Sequence, residues 1–542
     1  MFAGKTHVFA FFPFEKILLS SPDEGIYDAR NGKFPTFCGR IMNPLNVLMV
    51  AAEYAPLAKV GGLGDVTAAL ADALVARGHR VKIVLPLYRD LDRDRLGLRP
   101  LRKLPPLAVR VGDRMHDIRF FVVGRGSGRL QVLCVECESL FGRPGIYTDA
   151  GGADFSDAVR RWALLSRAAL LLPRALEWPV DIIHAHDAQA VPVLLNRRLW
   201  YAGRDFPGPA ATVLTIHNLA HQEIHPVSAA EDLGLPSSQA VYPGLLEYHG
   251  QVNLLKAGIL AADRVNTVSP GYARETVTDA SLGCGLQSVL AGRGKAYEGI
   301  LNGTDYRIWD PARDSSLPAA FSVNDLAGKE TCRRELLKQF GLKPANGRDG
   351  RPERPVCGFV GRLVTQKGVD LLAPVLPRLA ADGFTFVVQG TGESRLEATM
   401  TDLAGRYPRN IAFCDRYDEA LAHRIYAGSD VFLMPSLFEP CGLSQMYALR
   451  YGTPPVVRAT GGLVDTVTPW NDSAATGFVF SAPTSEGLLA SLRQVEKVWR
   501  DPAAWRKLQM RGMKARFDWS TAAGHYEQLY QAALSRREES LP

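Results

Sequence analysis

The 542-residue chain carries 63 Lys and Arg against 56 Asp and Glu, a formal net charge of +7, with 46% hydrophobic and 22% charged residues. That composition excludes a largely disordered chain, and the modest charge falls short of a nucleic-acid footprint. No run of about 18 apolar residues occurs, which excludes a spanning helix, and eight cysteines over this length make no disulfide framework and fit a reduced, cytoplasmic setting.

At roughly 100–200 residues per domain, the length predicts two large domains or three to four small ones. Residues 1–44 open with the apolar His7–Phe14, interrupted by Pro13 and Glu15, which rejects a secretory signal. We expect the native start at Met42, with the leader a gene-model artefact or a disordered tail. From Asn46 the pattern alternates strand, loop and helix. Val47–Ala51 is a continuous apolar run, as in a parallel strand buried on both faces. The glycine loop Lys59–Asp65 follows, then a helix with Val66, Leu70, Ala73 and Leu74 on one stripe, closed by Gly78. Further strands are predicted at Val81–Leu85, Asp181–Ala185, Thr212–Ile216 and Val265–Val268. The basic stretch between them, Arg89–Arg119, reads as solvated surface.

The alternation restarts near Pro355, with strands at Val356–Val360, Phe384–Val388, Asp430–Met434 and Pro454–Val457 and a helix over Gly368–Leu379. The stretch Lys343–Arg354 ahead of it reads as a surface loop. Two successive series predict two doubly wound α/β domains with a cleft between them.

Chemistry-bearing residues follow the strands. Gly61, Gly62 and Gly64 allow close backbone approach to a ligand, and the helix behind them offers free N–H groups to an anion. The loop is neither G-x-G-x-x-G nor a Walker A loop, and Lys59 ahead of it can bring a positive charge to a phosphate. Arg362 and Lys367 form a second cationic pair after the first strand of the second series, suited to neutralising a diphosphate leaving group. Glu439, beside Pro440 and Gly442, lies in a turn before a helix from about Leu443 to Tyr451 and can grip sugar hydroxyls or a cationic transition state. Gly390–Glu393 reads as a structural turn.

Histidines cluster at His184, His186, His217, His221 and His225. His184 and His186 are expected on opposite faces of one strand, which favours hydrogen bonding to a sugar over a metal site, with Asp187 and His217 ending adjacent strands at the cleft edge. The C-x-x-C spacing of Cys134 and Cys137 falls in a strand and is not read as a redox or zinc motif. Leu301–Asp305 lies where the chain leaves the first domain, and Tyr417 offers a flat face for a nucleobase.

Together the segments Lys59–Val66, His184–Asp187, Thr215–Ala220, Gly250–Gly258, Val268–Pro270, Tyr272–Glu275, Leu301–Gly303, Arg362–Gly368, Phe438–Leu443 and Thr460–Asp465 resemble the bacterial glycogen synthase and plant starch synthase family. The likeness runs from about Asn46 to the C-terminus. It implies the GT-B fold, two Rossmann-like domains facing across a deep cleft: 45–300 on the acceptor side and 301–515 on the donor side, with 516–542 a helix packing back on the first and 1–44 an extension.

The implied reaction is transfer of glucose from ADP-glucose to the non-reducing 4-OH of an α-1,4-glucan such as glycogen, with retention, without metal or cofactor. By resemblance, Lys59, Gly61 and Gly62 sit at the donor diphosphate with Asp65 nearby, and Arg362 and Lys367 hold it as it departs. Glu439 contacts the donor glucose, with Gly442, Leu443 and Ser444 beside the phosphates. His217 and Asp187 line the glucose pocket, Asn302 lies near it, and Tyr417 stacks on adenine.

The chain departs from the pattern at three places. Many members have tryptophan after His-Asp, where this chain has Ala188 and Gln189; many have Tyr-Gln-Gly where it has His221-Gln222-Glu223. These changes bear on acceptor preference and efficiency. The second glutamate of the related double-glutamate pattern is here Tyr447. A GT-B enzyme using UDP-glucose or a small acceptor stays open beside the leading reading. A nicotinamide dehydrogenase fails on the missing glycine fingerprint, and a silent glucan-binding protein would not need the cations. No nucleic acid or membrane partner is expected, and oligomeric state is left unassigned.

Overall fold

The computed structural model describes residues 43–124, 128–149, 151–201, 206–345 and 352–539; the expectations for the leader up to Met42 and for the centre of the Lys343–Arg354 stretch lie outside these residues. The strands in chain order are β1 (Asn46–Val50), β2 (Arg80–Pro86), β3 (Arg99–Pro100), β4 (Leu107–Val111), β5 (Arg114–Val122), β6 (Leu130–Glu136), β7 (Ile182–His186) and β8 (Ala211–Ile216). Then come β9 (Ile224–Pro226), β10 (Glu247–Tyr248), β11 (Gln251–Asn253), β12 (Arg264–Thr267) and β13 (Tyr297–Gly299). The second series is β14 (Val356–Val360), β15 (Thr385–Gln389), β16 (Ile411–Cys414), β17 (Val431–Met434), β18 (Pro455–Arg458) and β19 (Phe478–Phe480).

Among the described residues, the first sheet runs β13-β12-β8-β7-β1-β2-β6-β5-β3, with β4 against β5, and is parallel from β13 to β6. The second, β16-β15-β14-β17-β18-β19, is parallel throughout. Every residue of β1, β7, β8, β15 and β17 is buried, as expected for parallel strands covered on both faces. The predicted basic surface is observed: Arg93, Arg95, Arg99, Arg102, Lys103, Arg110 and Arg114 are all exposed.

One predicted helix is corrected. Gly368–Leu379 is not continuous but two short helices, Val369–Leu372 and Leu376–Ala381, with a 3-10 turn at Ala373–Val375 between them. Pro374 and Pro377 remove backbone donors there and clash with a continuing α-helix.

Both sheets belong to one compact unit, Leu45–Pro542. The chain crosses between them twice at one place: Thr304 bridges Asp518, its N–H donating to Phe517 at 2.5 Å. Helix Trp519–Glu539 then returns to the first sheet. Glu527 accepts from Arg77 at 2.6 Å and pairs with His79 at 2.9 Å, and the Tyr530 hydroxyl meets His184 Nδ1 at 2.9 Å. Behind the cleft, helix Pro270–Thr278 docks on helix Gly461–Thr466. The Gly271 N–H donates to Asp465 at 2.6 Å and the Gly461 N–H to Glu275 at 2.9 Å. This docking brings the carboxyl ends of both sheets to face each other, the edge where open α/β sheets bind ligands.

Candidate active site

In the first half the site begins just past β1. Glu53 Oε2 accepts from the N–H groups of Val60 (2.7 Å) and Gly61 (3.1 Å), and Oε1 from the Tyr147 hydroxyl (2.6 Å). This carboxylate, which sequence reasoning missed, pins the glycine segment. Helix Gly62–Ala76 starts inside that segment rather than after it, with Gly61 as an N-cap that offers no side-chain bond. Open space surrounds Gly61 and Gly62, so the first helical N–H groups are left for solvent or an anion. Gly64 instead packs closely, a Cβ there meeting the Ala58 carbonyl at 3.1 Å. Lys59 Nζ pairs with Asp65 at 2.8 Å. Burial is the largest single influence and opposes the Lys59 charge, but the bond and charge of Asp65 together with Tyr417 and Glu419 from the second half outweigh it and hold the ammonium above its ordinary value. Burial raises Asp65.

Past β7 and β8, Asp187 and His217 come together. Asp187 lies one residue beyond the strand, opening helix Asp187–Leu199 at φ 59°, a left-handed conformation stored at this edge. Its Oδ1 accepts the His217 N–H at 2.7 Å. The expected opposite orientation of His184 and His186 is wrong. Their ring centroids are 4.1 Å apart, because residues two apart on a strand share a face. His186 Nδ1 contacts His217 Nε2 at 3.1 Å, while His184 is satisfied by Thr215 (2.7 Å) and Tyr530 and serves the core. Burial lowers both His184 and His217 to about 3, so the His217 ring is neutral at pH 7. Among the described residues no three His, Cys, Asp or Glu side chains are grouped to hold a metal ion. The described cysteines, Cys134 and Cys137 included, are free.

Burial raises Asp187 to about 7, against two opposing backbone hydrogen bonds. Between about pH 4 and 7 the folded carboxyl therefore keeps a proton that the unfolded chain has released, and this group's contribution to stability falls as pH rises through that window. Asp187→Asn is expected to remove that slope, about 4 kcal/mol across the window. Urea unfolding of both proteins at several pH values checks it; parallel profiles would contradict it.

In the second half, Lys367 Nζ lies 2.7 Å from Glu439 Oε2, which also accepts the Ser436 hydroxyl at 3.1 Å. Glu439 is buried. Its turn is held by two glycines: a Cβ on Gly461 (φ 47°) would fall 2.0 Å from the Glu439 carbonyl oxygen, and one on Gly462 would fall 2.2 Å from that of Cys441. Gly368 (φ 71°) packs as tightly on Pro435, fixing Lys367 beside the turn. Gly442 (φ 73°) and Leu443 lead into helix Ser444–Arg450, which has no side-chain cap. Leu443 packs with Val268, Cys441 and Met446. Asn302 is buried against the Cys441 thiol, which burial pushes up to about 12 and bonds from Asn302 oppose.

Arg362 is exposed and touches neither Lys367 nor Glu439; its nearest hydrogen-bond partner is Gln366, at 3.5 Å. The Gly390–Glu393 turn buttresses it, since a Cβ on Gly390 would meet the Gly361 carbonyl at 1.9 Å. Tyr417 is 65% exposed. Its loop is held by the buried Gln389 amide, which donates to the carbonyls of Arg416 (3.3 Å) and Asp418 (2.7 Å), a second positioning residue that the sequence did not reveal.

Residues 46–292 match the family model described as Starch synthase catalytic domain, and residues 347–509 match Glycosyl transferases group 1. Over 492 residues the chain is 44% identical to glycogen synthase of Myxococcus xanthus, covering 90% of this chain and 99% of that one. The chain belongs to the glycogen synthase and starch synthase family. Glycogen synthase 2 of Geobacter sulfurreducens is 41% identical over 495 residues, 91% of this chain and 100% of that one. The catalytic domain of starch synthase IV from Arabidopsis thaliana, solved bound to ADP and acarbose, has a TM-score of 0.82 and 35% identity, covering 91% of this chain and 100% of that one. Sucrose-phosphate synthase from Thermosynechococcus elongatus (TM-score 0.56, 18% identity, 91% and 99% covered) shares the fold. The chain is thus a GT-B glycosyltransferase of the retaining class.

Two of the three departures from the family pattern are physically connected. Glu223 Oε1 accepts from Gln189 Nε2 (2.9 Å) and Trp162 Nε1 (3.2 Å), and Oε2 contacts His225 (2.7 Å). Glu223 has φ 54°, a conformation that favours glycine. Glu223→Gly therefore relieves backbone strain but strands two buried donors, and is expected to lower stability by about 1–3 kcal/mol. Urea unfolding checks this; a variant as stable as wild type would contradict it. Tyr447 stacks on Trp309 (3.9 Å), which stacks on His423 (4.0 Å), so an aromatic column replaces the second glutamate.

Proposed function

We propose that the enzyme transfers glucose from ADP-glucose to the non-reducing 4-OH of an α-1,4-glucan with retention. The observation that carries this reading is the Lys367–Glu439 pair at the carboxyl edge of the second sheet, supported by an uncapped helix N-terminus in the first half and by Lys59, which feels the charges of Tyr417 and Glu419 from the second. On this reading Lys59, the Gly62 amide at the helix start, Arg362 and Lys367 carry the diphosphate charge, with Asp65 orienting Lys59 and Gly61, its own N–H held by Glu53, leaving room for the ligand. The amides of Gly442, Leu443 and Ser444 lie at the same group. Preorganised donors of this kind contribute most where charge develops on the leaving group.

Glu439 then holds the glucosyl moiety as positive charge grows at its anomeric carbon, and neutral His217, oriented by Asp187, hydrogen-bonds the sugar. Asn302 supports the Cys441 turn from below. The departing diphosphate oxygen takes the acceptor proton on the same face, which is how retention arises without a second carboxylate base. Tyr417 gives the adenine a face to stack on, supported by its exposure and by the Lys59 charge opposite. Free cysteines support a cytoplasmic setting.

The test is donor choice and product stereochemistry. Transfer from ADP-glucose is expected to exceed that from UDP-glucose, and NMR of the first product is expected to show a new α-1,4 linkage. A β-linked first product, or faster transfer from UDP-glucose, would overturn the reading.

A further inference from the structure

The amino edge of the first sheet, opposite the site, carries a second cationic feature. A recess of about 560 Å³ opens between the start of β12, the turn Gly294–Ala296 and the last turns of helix Trp519–Glu539. Arg264, Arg293, Lys295 and Arg536 line it, with Glu539 as the one carboxylate. Two of the arginines are fixed by main-chain carbonyls: Arg264 donates to Lys295 O at 2.7 Å, and Arg293 to Ala262 O at 2.6 Å and Asp263 O at 3.2 Å. Carbonyls orient a guanidinium without neutralising it. Among the described residues none of the four cations is in an ion pair, and the Nε atoms of Arg264 and Arg293 are buried with no partner. The cost is visible at Arg293, which burial and then the charge of Arg536 push down to about 10, with Arg198 and Arg264 adding to the effect and Asp263 opposing it.

Clustered, unpaired cations repel one another, and partly buried ones are ordinarily matched by a carboxylate. Here four cations line, with a single carboxylate, Glu539, a concavity of the size that holds small molecules. Held guanidinium forks suit phosphate oxygens, which accept two parallel bonds from one arginine. We propose that this recess binds a small phosphate-bearing anion, a phosphate ester or a short polyphosphate, at a site separate from the donor cleft. Arg293 and Arg264 form its fixed floor, and Lys295 and Arg536 close on the anion from the rim. The proposal does not depend on the donor assignment.

Calorimetric titration at low salt tests it, with tripolyphosphate and a hexose monophosphate as separate probes. Three proteins are compared: wild type, Lys295→Glu/Arg536→Glu, and Arg362→Ala/Lys367→Ala. Both rim residues are exposed, so charge reversal there is compatible with folding, and an unchanged thermal midpoint verifies it. Losing two charge-assisted contacts is expected to weaken binding roughly ten-fold or more in the rim variant. The Arg362→Ala/Lys367→Ala protein is expected to retain that event. Binding of the ester assigns the site to phosphate esters; binding of tripolyphosphate alone assigns it to polyphosphate. No binding by wild type, or binding lost in the donor-cleft variant and unmoved in the rim variant, would overturn the proposal.

Discussion

Lys367→Ala is expected to lower the rate of glucosyl transfer by roughly 10²–10³-fold, the cost of removing one preorganised donor from a developing negative charge. Two losses combine. The diphosphate loses a cation held beside the reacting sugar. Glu439, buried and 2.7 Å from the missing ammonium, is left with the Ser436 hydroxyl as its remaining side-chain partner. Because the charge grows only as the leaving group departs, the fall is expected in kcat more than in the KM for donor. Steady-state kinetics at varied donor concentration check this, and a variant within about three-fold of wild-type kcat would remove Lys367 from the proposed machinery.

Gly461→Ala is expected to cost nearly as much activity, without removing any charged group. Its φ of 47° opposes any Cβ, and that Cβ would sit 2.0 Å from the Glu439 carbonyl oxygen, a backbone atom that cannot swing aside. Relief requires the Glu439–Pro440 turn to shift, straining the bond from the Gly462 N–H to the Glu439 carbonyl (3.0 Å) and that from the Gly461 N–H to Glu275 (2.9 Å). A displacement of about 1 Å at a reacting group costs on the order of 100-fold. Gly405→Ala is the matched control, since Gly405 lies in helix Ser394–Arg406 with open space around it. Its activity is expected to stay at the wild-type level, with stability raised by up to about 1 kcal/mol. Equal activities for the two alanine variants would show that the turn does not position Glu439.

Much of this arrangement was legible in the sequence because parallel strands buried on both faces leave unbroken apolar runs. The residue types that follow such runs at Lys59, His217, Arg362 and Glu439 then mark the carboxyl edge of each sheet. Local grammar was harder where two signals competed. The apolar pattern of Gly368–Leu379 favoured a helix, while Pro374 and Pro377 broke it. The pairing of His184 with His186 follows from the two-residue period of a strand, which puts both rings on one face. What the sequence hid was tertiary. Tyr147 reaches Glu53 across 94 residues and Gly461 reaches Glu275 across 186. No local pattern reveals such partners. The Glu223–Gln189 bond likewise turns two separate departures from the family pattern into one coupled change.

The most direct test of the account is incorporation of labelled glucose from ADP-glucose into glycogen, with wild type, Glu439→Ala and Lys367→Ala side by side. Transfer by wild type and its near loss in both folded variants is the predicted result. Equal rates in the three proteins, or no transfer by wild type, would contradict it.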